Sequence, residues 1–389
     1  MEAKGGIAFN PPQTTDPARP PWSRFATDAG SFPGHVALKN VAILCTSPAM
    51  ALIDSQTLDI VRDPSWLAHR YDPVKDAVHF INVSRQGHRQ ATFLTDEFLP
   101  GHASPVARGR GASVAAAGSG SPLHFIFHSA YCCSTLLARA LDVEGVAFAL
   151  KEPVILNDIS GWRRRGGPPA DVARALDSAL TLLARPFDER ERVIVKPSNV
   201  VNPFIHPMLA MRPGSRALLL HAPLRAYLGS IARKGMWGRL WVRELFVKIG
   251  EGGLLDYGFS SEEMFRQTDL QIAAIGWLGQ HRLFAAMAER FPDRVRTLDS
   301  EVFLGDVEET LTRLGRFFEL DLDPAALAGS EAFKRHSKDG ATFSAEERKA
   351  DPRDAVSVHS EEIDKVATWA ETVAASAGQP LQLPRPLLD

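Results

Sequence analysis

From Pro122 onward the chain alternates short apolar runs with segments of helical periodicity, and this alternation limits the possible folds more than any other feature. The runs are LHFIFH (123–128), VAFAL (146–150), RVIVK (192–196), RALLLH (216–221) and VRTL (295–298). Continuous apolar runs of this length are what strands buried on both faces need, as in a parallel sheet whose crossover helices cover each side. Between them, DVARALDSALTLLA, IAAIGWLGQHRLFAAMAERF and VEETLTRLGRFFEL repeat apolar residues at helical spacing. In STLLARALD, Leu136, Leu137, Ala140 and Leu141 fall on one helical face. The expected fold class is α/β, a three-layer parallel sheet with helices on both faces, spanning residues 122–389.

Upstream the pattern is weaker. Residues 1–35 contain PPQTTDPARPP and few periodic apolar positions, so they are expected to form a flexible tail. Residues 36–106, with VAIL, VHFINV and ATFL, are expected to form a small N-terminal α+β unit. Residues 107–121 are built largely from Gly, Ala and Ser, the composition of a flexible linker, which places a domain boundary there. A length of 389 residues allows two or three domains, and no repeat of 20 to 50 residues is present.

Composition narrows the functional classes. Hydrophobic residues make up 45% and charged residues 23%, which excludes a largely disordered chain. No apolar stretch approaches the ~18 residues of a membrane span, and no basic segment leads into an apolar core at the N-terminus. Cys45, Cys132 and Cys133 match neither a disulfide framework, a zinc site nor a CxxC motif, so a cytoplasmic setting is expected. The net charge of −2 gives no reason to expect nucleic acid as a partner. Any anion site must be local, and the sequence assigns no oligomeric state.

In open α/β sheets, ligands bind beyond the carboxyl ends of the strands, and the first strand-to-helix turn is a common anion site. Here that turn is HSAYCCST. Its amides would open the following helix, where unpaired donors and the positive end of the dipole favour an anion. Ser134 and Thr135 add hydroxyls, and a helix cap worth about 0.5 to 2 kcal/mol accounts for only one of them. No GxxxxGK[ST] occurs, so a Walker-type kinase lacks both its phosphate lysine and its magnesium hydroxyl.

CCSTLLARAL resembles the second half of the phosphosulfate loop [KR]SG[ST]T[WL]L of the sulfotransferase family, which has a P-loop-like fold. Cys132 and Cys133 stand at its Ser and Gly positions, and Tyr131 stands where the family has Lys or Arg. Four further segments follow in the family's order: LKEPVI (150–155), VIVKPSNV (193–200), LLLHAPLRAYLGSIARKG (218–235) and RVRTLDSEVFLGDVEETLTRLGRFFEL (294–320). Together they cover roughly residues 122 to 343.

The resemblance implies a co-substrate, 3′-phosphoadenylyl sulfate, no metal, and a small-molecule or glycan acceptor carrying a hydroxyl or amine. It implies that Tyr131, Cys132, Cys133, Ser134, Thr135 and Leu136 hold the 5′-phosphosulfate. It further implies that Lys196 neutralises the leaving group or the equatorial oxygens of the sulfuryl group and that Glu152 accepts the acceptor's proton. His221, at the position of a family arginine, would meet the 3′-phosphate with Arg225 and Ser230.

Other readings of these residues stay open. Glu152 could be a structural ion-pair partner of Lys151 or Lys196, and His128 could serve as the base. The two cysteines could supply a thiol nucleophile, but no His or Asn partner is identifiable, so compact packing is the expected role. Between Met211 and Lys248 eight Lys or Arg face one acid, Glu244, which fits either a polyanionic ligand or a solvated helix face. FKRHSKDG (333–340) is a second basic stretch that could close over a nucleotide. Three functions follow: a sulfotransferase, a non-catalytic nucleotide-binding protein of the same fold, or a P-loop-type kinase.

Overall fold

The computed structural model describes residues 54–99, 104–118, 120–330, 333 and 352–388. The tail expected at 1–35 and the basic stretch from residue 334 to 340 lie outside them. Helix α1 (Ser55–Arg62) starts where the Asp54 carboxylate accepts the Thr57 N–H at 2.8 Å. Strands β1 (Trp66–Asp72), β2 (Ala77–Asn82) and β3 (Val106–Gly109) form an antiparallel sheet in the order β1-β2-β3. Helix α2 (Arg85–Gln90), capped by Ser84, and helix α3 (Arg110–Ala117) complete this part.

The expected linker is therefore corrected. Ala107, Arg108 and Gly109 pair with β2, and the next eight residues form α3. Alanine is the best helix former, and small residues let helices pack closely, so linker-like composition here encodes a packed helix. Ala116 is buried, the Ser113 hydroxyl donates to the Gly109 carbonyl, and Arg110 holds Asp76 at 2.6 Å. Gly118 ends the helix with φ of 69°, a conformation that favours glycine. The boundary drawn at 107–121 also fails as a domain boundary: Leu67 and Phe80 share one apolar core with Phe125, Phe148 and Val193 of the main sheet.

The main sheet contains β4 (Leu123–His128), β5 (Ala147–Lys151), β6 (Arg192–Lys196), β7 (Ala217–His221) and β8 (Val295–Asp299). All pairs are parallel, in the order β5-β6-β4-β7-β8. Its helices are α4 (Ser134–Ala140), α5 (Val154–Arg164), α6 (Pro169–Leu183), α7 (Ile205–Met211), α8 (Leu224–Arg233) and α9 (Gly235–Ile249). They are followed by α10 (Ser261–Phe265), α11 (Asp269–Arg290), α12 (Ser300–Gly305), α13 (Val307–Phe318), α14 (Pro324–Ala328) and α15 (Pro352–Ser376).

The period of two along each strand divides the core between the two faces. Phe125, Phe127, Val193, Val195 and Leu219 pack with α5, α6, α7 and the N-terminal sheet. Ile126, Ile194, Leu218 and Leu220 pack with α4, α8, α13 and α15. The exposed edge of β8 is covered by the C-terminal segment, where Thr297 N–H donates to the Arg385 carbonyl at 2.9 Å and Leu387 N–H to Thr297 at 2.8 Å.

Because the antiparallel sheet and the main sheet share a core, they should unfold together. Phe80→Ala is expected to cost about 3–5 kcal/mol and to shift a single transition in urea. Two separate transitions, with only the first moved, would contradict the shared core.

Candidate active site

Strand β4 lies between β6 and β7, so successive crossovers leave it in opposite directions and its carboxyl end is a topological switch point. Three strand ends meet there: His128 from β4, Lys151 and Glu152 from β5, and Lys196 from β6. The loop after His128 is strained. Ala130, Tyr131 and Cys133 have φ of 73°, 53° and 61°, and Glu152 has φ of 53°. Left-handed backbone costs a residue with a Cβ about 1–2 kcal/mol, and non-glycine examples cluster at functional sites. Left-handed residues within such a turn bring backbone N–H groups toward a common point. The first intrahelical bond of α4 runs from Leu137 N–H to the Cys133 carbonyl at 3.1 Å, so the amides of Ser134, Thr135 and Leu136 have no partner within the helix.

Buried polar groups fix the loop from behind. Ser129 N–H donates to the Leu220 carbonyl at 3.1 Å, and its hydroxyl accepts from Ala222 N–H at 3.2 Å. Asn202 donates to the His128 carbonyl at 3.0 Å and to Gln280 Oε1 at 2.9 Å. His128 Nδ1 accepts from Ala130 N–H at 3.1 Å, which leaves the proton on Nε2, facing the Pro197 carbonyl at 3.1 Å. With its one basic nitrogen already accepting a backbone proton, His128 is a brace for the loop and a poor base.

The Glu152 carboxylate forms an ion pair with Lys196 Nζ and lies 3.7 Å from His128 Nε2. Glu152 N–H also donates to the Lys196 carbonyl at 2.7 Å, so backbone and side chain both tie the two strand ends. Lys196 is 1% exposed, and its ammonium stands 5.0 Å from the centre of the Phe93 ring. Lys151 turns away: its Nζ donates to the carbonyls of His88 and Arg89 at 2.7 and 2.9 Å, and burial pulls its pKa down to about 7. Lys196 is therefore the partner of Glu152. Burial pushes the Cys132 thiol up to about 11, so it is not a thiolate nucleophile near neutral pH.

Tyr131 packs its ring 5.3 Å from Trp241 and 6.0 Å from Tyr227, and burial raises its phenol's pKa. Its ring brings no positive charge to the loop. His221, partly buried beside His281 at 4.8 Å between ring centres, has its pKa lowered by desolvation, with Asp299 at 3.7 Å opposing the shift. Arg225 reaches α15, with Nε 3.2 Å from Asp364 and Nη1 2.8 Å from Glu371. The Ser230 hydroxyl donates to the Ala226 carbonyl at 2.9 Å and accepts from Arg233 at 3.0 Å. His221, Arg225 and Ser230 are thus each held by different partners.

Of the eight cations in the basic block, five more are paired. Arg212 pairs with Asp177, Arg216 with Glu319, Arg239 with Glu362, Arg243 with Asp269 and Lys248 with Glu244. Most of these acids lie far away in the sequence, which is why a local charge count gave an apparent excess. Among the described residues, no group of three or more His, Cys, Asp or Glu could hold a metal ion, and no helix is long and apolar enough to cross a membrane.

No protein-family model and no curated protein matches the sequence. Among solved structures, the chain is similar to a sulfotransferase domain from the curacin biosynthetic pathway, at 14% identity and a TM-score of 0.38, covering 68% of this chain and 99% of that one. It is also similar to a sulfotransferase domain from the Synechococcus PCC 7002 olefin synthase, at 13% identity and a TM-score of 0.37, covering 68% and 98%. The likeness is one of fold.

Phe93, Ser129, Asn202 and Gln280 are site residues that the motifs did not single out. For Asn202 a signal exists: it is an amide between Val200–Val201 and Pro203–Ile205, and such a residue must find a buried partner. Removing one member of a buried ion pair leaves the other uncompensated. Lys196→Met is therefore expected to destabilise the fold by about 3–5 kcal/mol, and adding Glu152→Gln should recover part of that loss. Additive losses in urea denaturation of the two single variants and the double variant would mean that the pair is not coupled.

Proposed function

We propose that the chain is a sulfotransferase that moves a sulfuryl group from 3′-phosphoadenylyl sulfate to a hydroxyl or amine acceptor. The observation that carries this reading is the meeting, at one switch point, of the left-handed loop Ala130–Cys133 with the Glu152–Lys196 pair. The order of the five sequence segments supports it independently.

On this reading the amides of Ser134, Thr135 and Leu136, with the hydroxyls of Ser134 and Thr135, bind the donor's 5′-phosphosulfate. The acceptor oxygen or nitrogen attacks sulfur as the bond from sulfur to the bridging phosphate oxygen breaks. The acceptor's proton passes to the Glu152 carboxylate, and the products are the sulfated acceptor and adenosine 3′,5′-bisphosphate. Negative charge builds on the leaving phosphate, where Lys196 supplies a fixed positive charge. A carboxylate in an ion pair is already in the form a base requires. His221 and Ser230 are proposed to meet the 3′-phosphate, and Arg225 can join them only by leaving Asp364 and Glu371.

A second reading, a nucleotide-binding protein without turnover, is favoured by the engagement of Glu152 with Lys196 and of Arg225 with α15. Turnover of a sulfur-labelled donor with a panel of hydroxyl and amine acceptors separates the two. Ser134→Ala combined with Thr135→Ala is expected to weaken adenosine 3′,5′-bisphosphate binding at least ~10-fold in calorimetry, since charge-assisted hydrogen bonds contribute about 1.5–3 kcal/mol each. Glu152→Gln should keep that binding and lower transfer ~100-fold or more. Unchanged bisphosphate affinity in the double variant would remove the loop from the donor site, and an unchanged rate would remove Glu152 from the chemistry.

A further inference from the structure

A recess of about 240 Å³, lined by Arg89, Gln90, Arg139 and Asp142, brings together residues of α2, α4 and the turn after α4. None of them belongs to the proposed donor loop or to the Glu152–Lys196 pair. The charges around it are unbalanced. Asp142, 5% exposed, is shared by two guanidinium groups, Arg85 at 3.5 Å and Arg89 at 3.3 Å. Arg85 also holds the fully buried Glu191 at 2.5 Å. Arg139 has no carboxylate partner among the described residues, and its Nε is buried without a hydrogen bond.

A partly buried guanidinium without an anion is costly, and a planar fork of donors is suited to a carboxylate or phosphate. The neighbouring ammonium feels the same excess: after burial, the charge of Arg139 is the next largest cause lowering the pKa of Lys151. The acids nearby are engaged elsewhere: Asp142 and Glu191 by Arg85 and Arg89, and the exposed Glu144 by Arg89 at 3.7 Å, which leaves Arg139 without a carboxylate partner among the described residues. The space exceeds what an inorganic oxyanion fills, which leaves room for an organic body.

We propose that this recess binds a small organic anion through its carboxylate or phosphate group, with Arg139 as the main ligand and Arg89 and the Gln90 amide beside it. The inference stands whether or not the loop binds a nucleotide.

The test is calorimetry on the full chain with two probes, succinate and ribose 5-phosphate, each with and without saturating adenosine 3′,5′-bisphosphate. At least one probe is expected to bind with a sub-millimolar Kd that the bisphosphate leaves unchanged. The arm that binds identifies a carboxylate or a phosphate ligand. Arg139→Gln should weaken that binding at least ~10-fold, the scale of a lost charge-assisted pair. Arg174→Gln, an exposed arginine paired locally with Asp171, should leave it unchanged. Should Arg139→Gln fail to fold, phenylglyoxal modification of the unaltered protein, read by peptide mass spectrometry, gives the same answer: the bound probe should slow labelling of Arg139. Binding of neither probe, equal affinity in both proteins, unprotected Arg139, or displacement by the bisphosphate would each overturn the proposal.

Discussion

A central parallel strand has neither an open edge nor an exposed face, so every polar group it carries must find a partner inside the protein. Strand β4 is buried along all six residues, yet it begins and ends near histidines. His124 Nδ1 accepts from Arg216 N–H at 3.1 Å, and burial brings its pKa down to about 4. His128 braces the loop that follows. The apolar middle of the strand sets the position of the sheet, and the imidazole at its carboxyl end ties the loop to that position. Ser129 ties the loop to the end of β7, and Asn202, in the turn after β6 and itself held by Gln280 of α11, ties it from the other side. A loop with three left-handed residues persists only because its surroundings over-determine it.

The parallel sheet was legible in the sequence because burial on both faces forces continuous apolar runs, and each of the five runs became a strand within one residue of its expected ends. The switch-point loop was legible for the same reason: it is the polar interruption between the first run and the Leu136–Leu141 helical face. Composition failed where small residues have two uses. Gly, Ala and Ser at 107–118 read as a linker, but they build β3 and α3, whose close packing on α1 and α6 needs small side chains. Charge counting failed because pairing is a property of three dimensions. The carboxylates that neutralise Arg216, Arg225 and Arg239 come from α13's end and α15, about a hundred or more residues away along the chain.

Lys196 and Glu152 tie two strand ends together, and on the proposed reading they also carry the chemistry. A buried pair gains Coulomb energy in a low dielectric but loses the hydration of two ions, so its net stabilisation is small unless further contacts satisfy it. Here the ammonium has the face of Phe93, and the carboxylate has the Lys196 ammonium with His128 nearby. An apolar pair of similar volume could tie β5 to β6 at comparable stability. Stability alone therefore does not explain why ions occupy the carboxyl ends of these two adjacent strands.

The backbone supplies a second argument in the same direction. Of the four residues with left-handed backbone around this point, none is glycine, although glycine would relieve each of them at little cost. At Tyr131 the side chain gives a reason, because its ring packs on Trp241 and Tyr227 and anchors the loop to α9 and α8. At Glu152 the carboxylate gives another, since glycine would abolish the pair with Lys196. At Cys132 and Cys133 the side chains are small enough to leave the loop tightly curved, and burial keeps the Cys132 thiol protonated. Strain is thus retained where side chains make contacts that glycine could not, next to a largely buried ion pair, which is what the proposed reading requires.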